Sequence, residues 1–448
     1  METTIQKLEL ALNSFNPSVR KEAVDQLADL LFHNQIPVKP EEPVINLHCH
    51  TFFSFNAYGY SPSGLVWLAK KNGFRQIGIV DFDVLDGVDE FFAACDKLSV
   101  RGTTGLETRV YIPQFFDREI NSPGEPGIFY YMGIGFTSSQ SPTDVLSILD
   151  SMRERAYQRN REIIARVNPF LSPIAIDYER DVLPLTPAKN ATERHILVAY
   201  LQASSKLGDE EISFWATKLQ IDPEQIAKEK KDPVGFQNLL RSKLMKKGGI
   251  GYIQPDSASF PEPREVNQLF IACEAIPCAT WLDGTSIGEQ AMSELLELLI
   301  ADGVAALNII PDRNWNIKDP ETRKKKVENL YQIVELATKL DLPIIVGTEM
   351  NSFGQKIVDD FTSPELAPLV PKFLDGANLI YGHTMMQRGC KMGYQSEWAK
   401  LNFISRHDKN QFYQMIGSKI QPGINGLNQL SKVQPDFSPR KIINLIDQ

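Results

Sequence analysis

Short apolar runs separated by longer amphipathic stretches set the rhythm of this chain. Residues 44–47, 76–81, 104–111 and 128–133 form blocks too short for stable helices, and they are rich in Val, Ile, Tyr and Phe. That pattern predicts buried strands. Between the first two, 62–72 begins at Ser61-Pro62 and stops at Gly73, which predicts a helix with proline in its first turn and glycine past its end. A second helix is predicted over 85–98. Ahead of this series, 3–34 reads as two short amphipathic helices. Asn16 caps the second, Pro17 opens it, and Val19, Ala23, Val24, Leu27 and Leu31 form its apolar stripe. Pro37, Pro40 and Pro43 end this preface.

The rhythm breaks after the fourth strand. Residues 143–276 are mostly helical and include charged stretches such as 228–232, which predicts a helical insertion. Strand-and-helix alternation resumes with strands at 277–282, 304–310, 343–348 and 378–381, separated by helices at 288–302 and 320–340. Apolar strands alternating with helices imply an α/β fold with a parallel sheet under a helical cover. With seven or eight strands, a closed barrel is expected rather than an open doubly wound sheet. The run Gly248-Gly249-Ile250-Gly251 follows a helix, not a strand, and so reads as a turn rather than a dinucleotide fingerprint. The expected division is a helical segment over 1–40, a barrel over 44–385 interrupted at about 143–276, and a helical tail over 386–448.

Composition narrows the function. The chain has 448 residues, 42% of them hydrophobic, enough for a sizeable core. A formal charge of −9 without a long basic run argues against a nucleic-acid or anionic-membrane surface. No apolar stretch approaches the roughly 20 residues of a membrane span, and the first residues lack the pattern of a signal peptide. Five widely spaced cysteines do not form a disulfide framework. A soluble, cytoplasmic protein is expected, of unspecified oligomeric state.

The chemistry concentrates where strands end. His48-Cys49-His50-Thr51 follows the first apolar run, and side chains at i and i+2 of a strand share a face, so both imidazoles project together. Two imidazoles side by side begin a site for a divalent transition metal. Cys49 points the other way, into the core. Barrels carry their chemistry where strands run into βα loops. Those positions read Asp81 and Asp83, then Glu107, Glu349 and His383. His195 stands apart, at the start of a predicted helix.

The segments His48–Thr51, Ser61-Pro62, Val80–Asp83, Gly105–Glu107 and Arg194-His195 appear in the order found in a PHP domain. The chain thus resembles the polymerase and histidinol phosphatase family, whose fold is a distorted (β/α)7 barrel holding up to three divalent metals for phosphoester hydrolysis. The resemblance implies a first metal held by His48, His50, Glu107 and Glu349, the last standing where the family has an aspartate. It implies a second metal sharing Glu107 and taking His195, with Tyr130 at the position of a further histidine. The third-metal positions read Phe55, Phe82 and Asn351, which implies that this metal is absent and that the two phenylalanines fill its place.

These readings lead to an expected metal-dependent phosphoesterase acting on a small phosphorylated molecule, with one or two divalent metals, zinc or manganese suiting the mixed His/carboxylate shell. Asp81 and Asp83 are candidates for general base, for partners of a ligating histidine, or for capping the following turn. Glu349 alternatively pairs with a barrel arginine such as Arg109. His383 is a candidate replacement ligand or general acid, and His195 or His383 would protonate the leaving alkoxide. Arg194, Arg313 and Lys356 are candidate phosphate binders by location. The alternatives are a barrel that has lost catalysis and serves as a ligand-binding or regulatory protein, and an amidohydrolase-type C–N hydrolase.

Overall fold

The computed structural model describes residues 2–256 and 258–447. Seven strands form one sheet in sequence order: β1 (Glu42–Cys49), β2 (Phe74–Phe82), β3 (Arg101–Tyr111), β4 (Ile128–Ile134), β5 (Ile276–Trp281), β6 (Ala306–Ile309) and β7 (Ile344–Val346). All neighbours are parallel except at β4, which runs antiparallel to both β3 and β5. The cause lies in the connection. Between Tyr111 and Ile128 the chain has only a single turn of 3₁₀ helix at Pro113–Phe115, and without a crossover helix the next strand must return antiparallel.

The sheet closes on itself. Cys49 bridges to Glu349, with His50 N donating to Glu349 O and Glu349 N donating to His48 O, both at 2.7 Å. Asn46 reinforces the seam, its amide reaching Thr348 Oγ1 and the Ile357 carbonyl at 2.7 Å each. Close approach here requires Gly347, where a Cβ would lie 2.4 Å from the His48 backbone nitrogen. The result is a (β/α)7-type barrel with one reversed strand.

Helices cover the barrel as the sequence pattern predicts. Ser61 caps Pro62–Asn72 through the Gly64 amide, and Gly73 ends it in the left-handed region at φ 70°. Asn16 caps Pro17–Phe32. The helices Leu146–Leu171, Glu193–Ser205, Glu211–Leu219 and Pro233–Met245 form an apolar cluster of their own around Trp215, Tyr200, Phe236 and Leu240, separate from the barrel core. Among the described residues, no helix is long and apolar enough to cross a membrane.

One predicted element is different. Residues 378–381 are not an eighth strand but the middle of the helix Val370–Cys390, which lies against β7 and the helix Arg406–Lys419. Burial on nearly every side from Gly376 to Gln387 leaves this stretch without a polar face, and so without a clear period to separate it from a strand. Its glycines permit the packing: a Cβ at Gly376 would lie 2.0 Å from the Ile344 carbonyl oxygen, and one at Gly382 1.9 Å from that of Tyr413.

His383 therefore does not end a strand, and it is no catalytic group. It is fully buried on that helix, with Nε2 donating to Gly135 O at 2.9 Å and Nδ1 accepting from Tyr394 N at 2.8 Å. Burial outweighs the bond to the Gly135 carbonyl and pushes its pKa down to about 4, so the ring is neutral. The unfolded chain takes up this proton near pH 6.5 and the folded one only near 4, so the neutral ring's contribution is complete above pH 6.5 and is lost as pH falls toward 4. Urea unfolding at a series of pH values should show about 3 kcal/mol less acid destabilisation over that interval in His383→Gln than in the wild type.

Candidate metal centre

At the mouth of the barrel, His48 and His50 from the end of β1 meet Glu107 from β3. His50 Nε2 lies 3.1 Å and His48 Nε2 3.5 Å from Glu107 Oε2, and the three atoms all fall within 4.8 Å of one another. All three are buried, and none makes an aligned hydrogen bond.

The other ring nitrogens explain why. His48 Nδ1 donates to Asn308 Oδ1 at 3.0 Å, and Asn308 is held in that orientation because its Nδ2 donates to the Ile345 carbonyl. His50 Nδ1 donates to Ser54 Oγ at 3.0 Å, and Ser54 in turn donates to Asp81 Oδ1 at 2.6 Å. Both imidazoles are thereby fixed with the proton on Nδ1 and a lone pair on Nε2. Two imidazole lone pairs and a carboxylate oxygen facing each other in a buried pocket repel unless a cation lies between them. Tetrahedral donors about 2.0–2.2 Å from a metal stand roughly 3.3 Å apart, close to the two separations seen here. The residues present fit a divalent ion.

Asp81 sits behind His50, joined to it through Ser54. Besides Ser54 it accepts from the Thr51 amide at 2.8 Å and the Thr51 hydroxyl at 2.6 Å, which leaves it anchored beneath the loop carrying His50. Asp83 has a positive φ of 56°, accepts from Thr108 Oγ1 at 2.6 Å and lines the cavity above the site.

Glu349 is not brought into the cluster. Its Oε2 accepts from Arg313 at 2.5 Å and from Gln355 at 2.9 Å, so the anticipated arginine pairing exists but with Arg313. Arg109 pairs with Glu125 at 3.0 Å instead. His195 also stands outside. Its Nδ1 accepts from the Thr192 amide at 3.1 Å in a capping box, and its ring packs edge-on against Phe55 at 5.0 Å. Burial pushes its pKa down to about 3. Phe82 stacks on His50 with ring centroids 4.6 Å apart, so an aromatic covers one face of a ligand candidate. Cys49 is fully buried in the core.

A cavity of about 840 Å³ opens over His48 and Glu107, between the barrel mouth and the helical insertion. Arg109, Arg155, Arg159, Arg166, Arg194, Arg241, Arg313, Lys246 and Lys247 line it, against Asp83, Glu107, Glu125, Glu162, Glu193 and Glu349. Cations outnumber carboxylates in a chain whose net charge is −9, so the excess of positive charge is local. Of the arginines and lysine singled out from sequence, Arg194 and Arg313 line the cavity, whereas Lys356 pairs with Asp312 at 2.9 Å away from it. Sequence reasoning missed Asn308 and Ser54, and also Arg155, Arg159 and Arg166. A buried amide inside the apolar run Ala306–Ile309 was one available signal, because it must find a partner. The spacing 155, 159 and 166 on one helical face was the other.

A barrel of alternating strands and helices with His, His and Glu converging at its mouth defines the class. Residues 46–253 match the sequence model of the PHP domain family. An error-prone DNA polymerase from Cutibacterium acnes is 32% identical over 81 residues, which is 17% of this chain and only 7% of the polymerase. Among solved structures, an amidohydrolase from Chromobacterium violaceum with bound sulfate and no metal is 14% identical, over 73% of this chain and 96% of that one, with a TM-score of 0.47. A candidate metal-dependent phosphoesterase from Bifidobacterium adolescentis is 17% identical, over 75% of this chain and 98% of that one, with a TM-score of 0.46.

If ring orientation holds the donors in place, Asn308→Leu and Ser54→Ala should each weaken divalent-metal affinity by roughly 10–100-fold in a chelator-competition titration. An unchanged affinity in both would show that these bonds do not set the site.

Proposed function

We propose that this chain is a metal-dependent hydrolase of phosphoesters of small molecules. The observation that carries the reading is the set of three buried, unpartnered donors, two of which, on His48 and Glu107, line a cation-rich cavity. His48, His50 and Glu107 would hold a divalent ion such as zinc or manganese, which would lower the pKa of a water and polarise a phosphoryl oxygen.

The chain's own groups account for binding and orientation. Arg194 is held at the cavity wall by Asn238 at 3.1 Å and Ser352 at 3.0 Å, both neutral, so its charge is not cancelled by a carboxylate bonded to it. Arg313 reaches the same cavity from its pair with Glu349. Guanidinium groups match phosphate oxygens in geometry and charge, and here they would turn the ester toward the three donors. Asn308, Ser54 and Asp81 keep the imidazoles in the tautomer that offers Nε2.

A second reading has one observation in its favour. Phe82 lies flat on His50 and Phe55 packs on His195, so aromatic rings crowd both histidines. In that reading the barrel binds a phosphorylated ligand without turning it over.

Chelator-free protein should contain on the order of one divalent ion per chain. It should turn over members of a phosphomonoester and phosphodiester panel in added Mn²⁺ or Zn²⁺, with kcat/KM lowered at least ~100-fold in His48→Ala and Glu107→Gln. A metal content near zero that His48→Ala does not alter overturns the metal site. Full metal content without turnover on any ester selects the binding reading.

A further inference from the structure

We infer that the ligand of this cavity carries a second anionic group, phosphate or carboxylate, which Arg159 of the helical insertion holds beside Arg109, apart from the three metal donors. The inference rests on the phosphoester reading and narrows its substrate class.

Arg159 lies on the helix Leu146–Leu171 and faces the cavity. Among the described residues it makes no ion pair and no hydrogen bond. Its guanidinium sits 4.7 Å from the centroid of Phe260, and Arg109 sits 4.3 Å from the same ring, so one aromatic ring receives two guanidiniums. The groups whose charge reaches Arg159 are Arg109, Asp83, Glu193 and Glu125. Two of the three carboxylates are paired with other cations, and the third, Asp83, is held by a hydroxyl. Glu125 pairs with Arg109 at 3.0 Å, Glu193 pairs with Lys246 at 2.9 Å and with Arg241 at 3.1 Å, and Asp83 accepts from Thr108. Burial, with Arg109 beside it, pushes the Arg159 pKa down to about 10, the mark of a desolvated cation short of counter-charge. Such a group is costly to maintain and is satisfied by an anion that enters with the ligand.

Its place relative to the metal donors follows from β3. Glu107 and Arg109 are two residues apart on one strand and share a face, which separates them by about 7 Å. A ligand with one phosphoryl group over Glu107 therefore needs its second anion about 7 Å further along. Arg155, one helical turn before Arg159, faces the same cavity and adds to the field there.

The test is calorimetric titration of the full chain in Mn²⁺ with butylphosphonate, butane-1,4-bisphosphonate and 5-phosphonopentanoate, none of which can be hydrolysed. The bisphosphonate should bind at least about tenfold tighter than butylphosphonate. In Arg159→Met this ratio should fall below about twofold, and Arg159→Lys should retain part of it. The phosphonocarboxylate separates the two sources: equal gain means any anion serves, and gain by the bisphosphonate alone means phosphate. A ratio near one in the wild type, absence of bisphosphonate binding, or a ratio that survives in Arg159→Met overturns the inference. A protein that hydrolyses simple phosphomonoesters yet shows no such ratio keeps its hydrolase reading and loses this one. A protein that shows the ratio without turnover does the reverse.

Discussion

Three lone pairs aimed at one buried point are the constraint on which the rest of the site depends. Nothing in the fold requires His48, His50 and Glu107 to face each other; apolar side chains at those positions would close the barrel mouth at lower electrostatic cost. The surrounding structure is arranged to preserve that facing. Asn308 and the Ser54–Asp81 pair occupy the Nδ1 atoms, which leaves each Nε2 without a proton to donate. The β1–β7 seam fixes the backbone between the two histidines, since His48 O and His50 N are both bonded to Glu349. Without a cation, the cluster's electrostatics draw in protons instead. Burial opposes a charged His48, but the carboxylates of Glu107 and Glu349 outweigh it and raise its pKa. A divalent ion meets the same demand with both tautomers intact.

Much of this was legible in the chain, and the misses have identifiable causes. The strand ends at Cys49, Phe82 and Tyr111 could be read from short apolar blocks, so His48, His50 and Glu107 could be grouped without coordinates. Glu349 was placed in the correct loop, but the choice between metal and arginine depends on side-chain reach, which sequence spacing does not encode. His383 was misplaced because a helix buried on nearly every side lacks the 3.6-residue period that identifies helices. The reversal of β4 follows from a connection without a crossover helix, a feature visible in residues 112–127 but outweighed by the regular alternation elsewhere. His195 starts a helix as expected, yet its Nδ1 is used in capping that helix.

Aromatic side chains occupy several of the positions that the resemblance associates with further metals. Phe82 does not merely lack a donor atom; its ring lies parallel to His50 and covers a face of the imidazole. Phe55 does the same to His195 from the edge. Tyr130, where a histidine would stand, lines the cavity and accepts the Arg109 guanidinium over its ring at 5.9 Å. At these positions aromatic rings pack against His50, His195 and Arg109.

On the proposed phosphoester reading, much of the ligand binding would fall to the insertion. A barrel with three metals can neutralise a phosphate largely by itself, whereas one with a single three-donor site leaves most of the ligand's charge to be met by side chains. The insertion supplies them: Arg155, Arg159, Arg166, Arg194, Arg241 and Lys246 all come from residues 146–246. Recognition and chemistry are thereby separated in the chain. In the proposed reading the barrel strands β1 and β3 would hold the metal, and the helices between β4 and β5 would select the anions that reach it. Under the proposed function the insertion's arginines would act through position on a helical face, and a different spacing of charges on the same helices would admit a different ligand without altering the barrel.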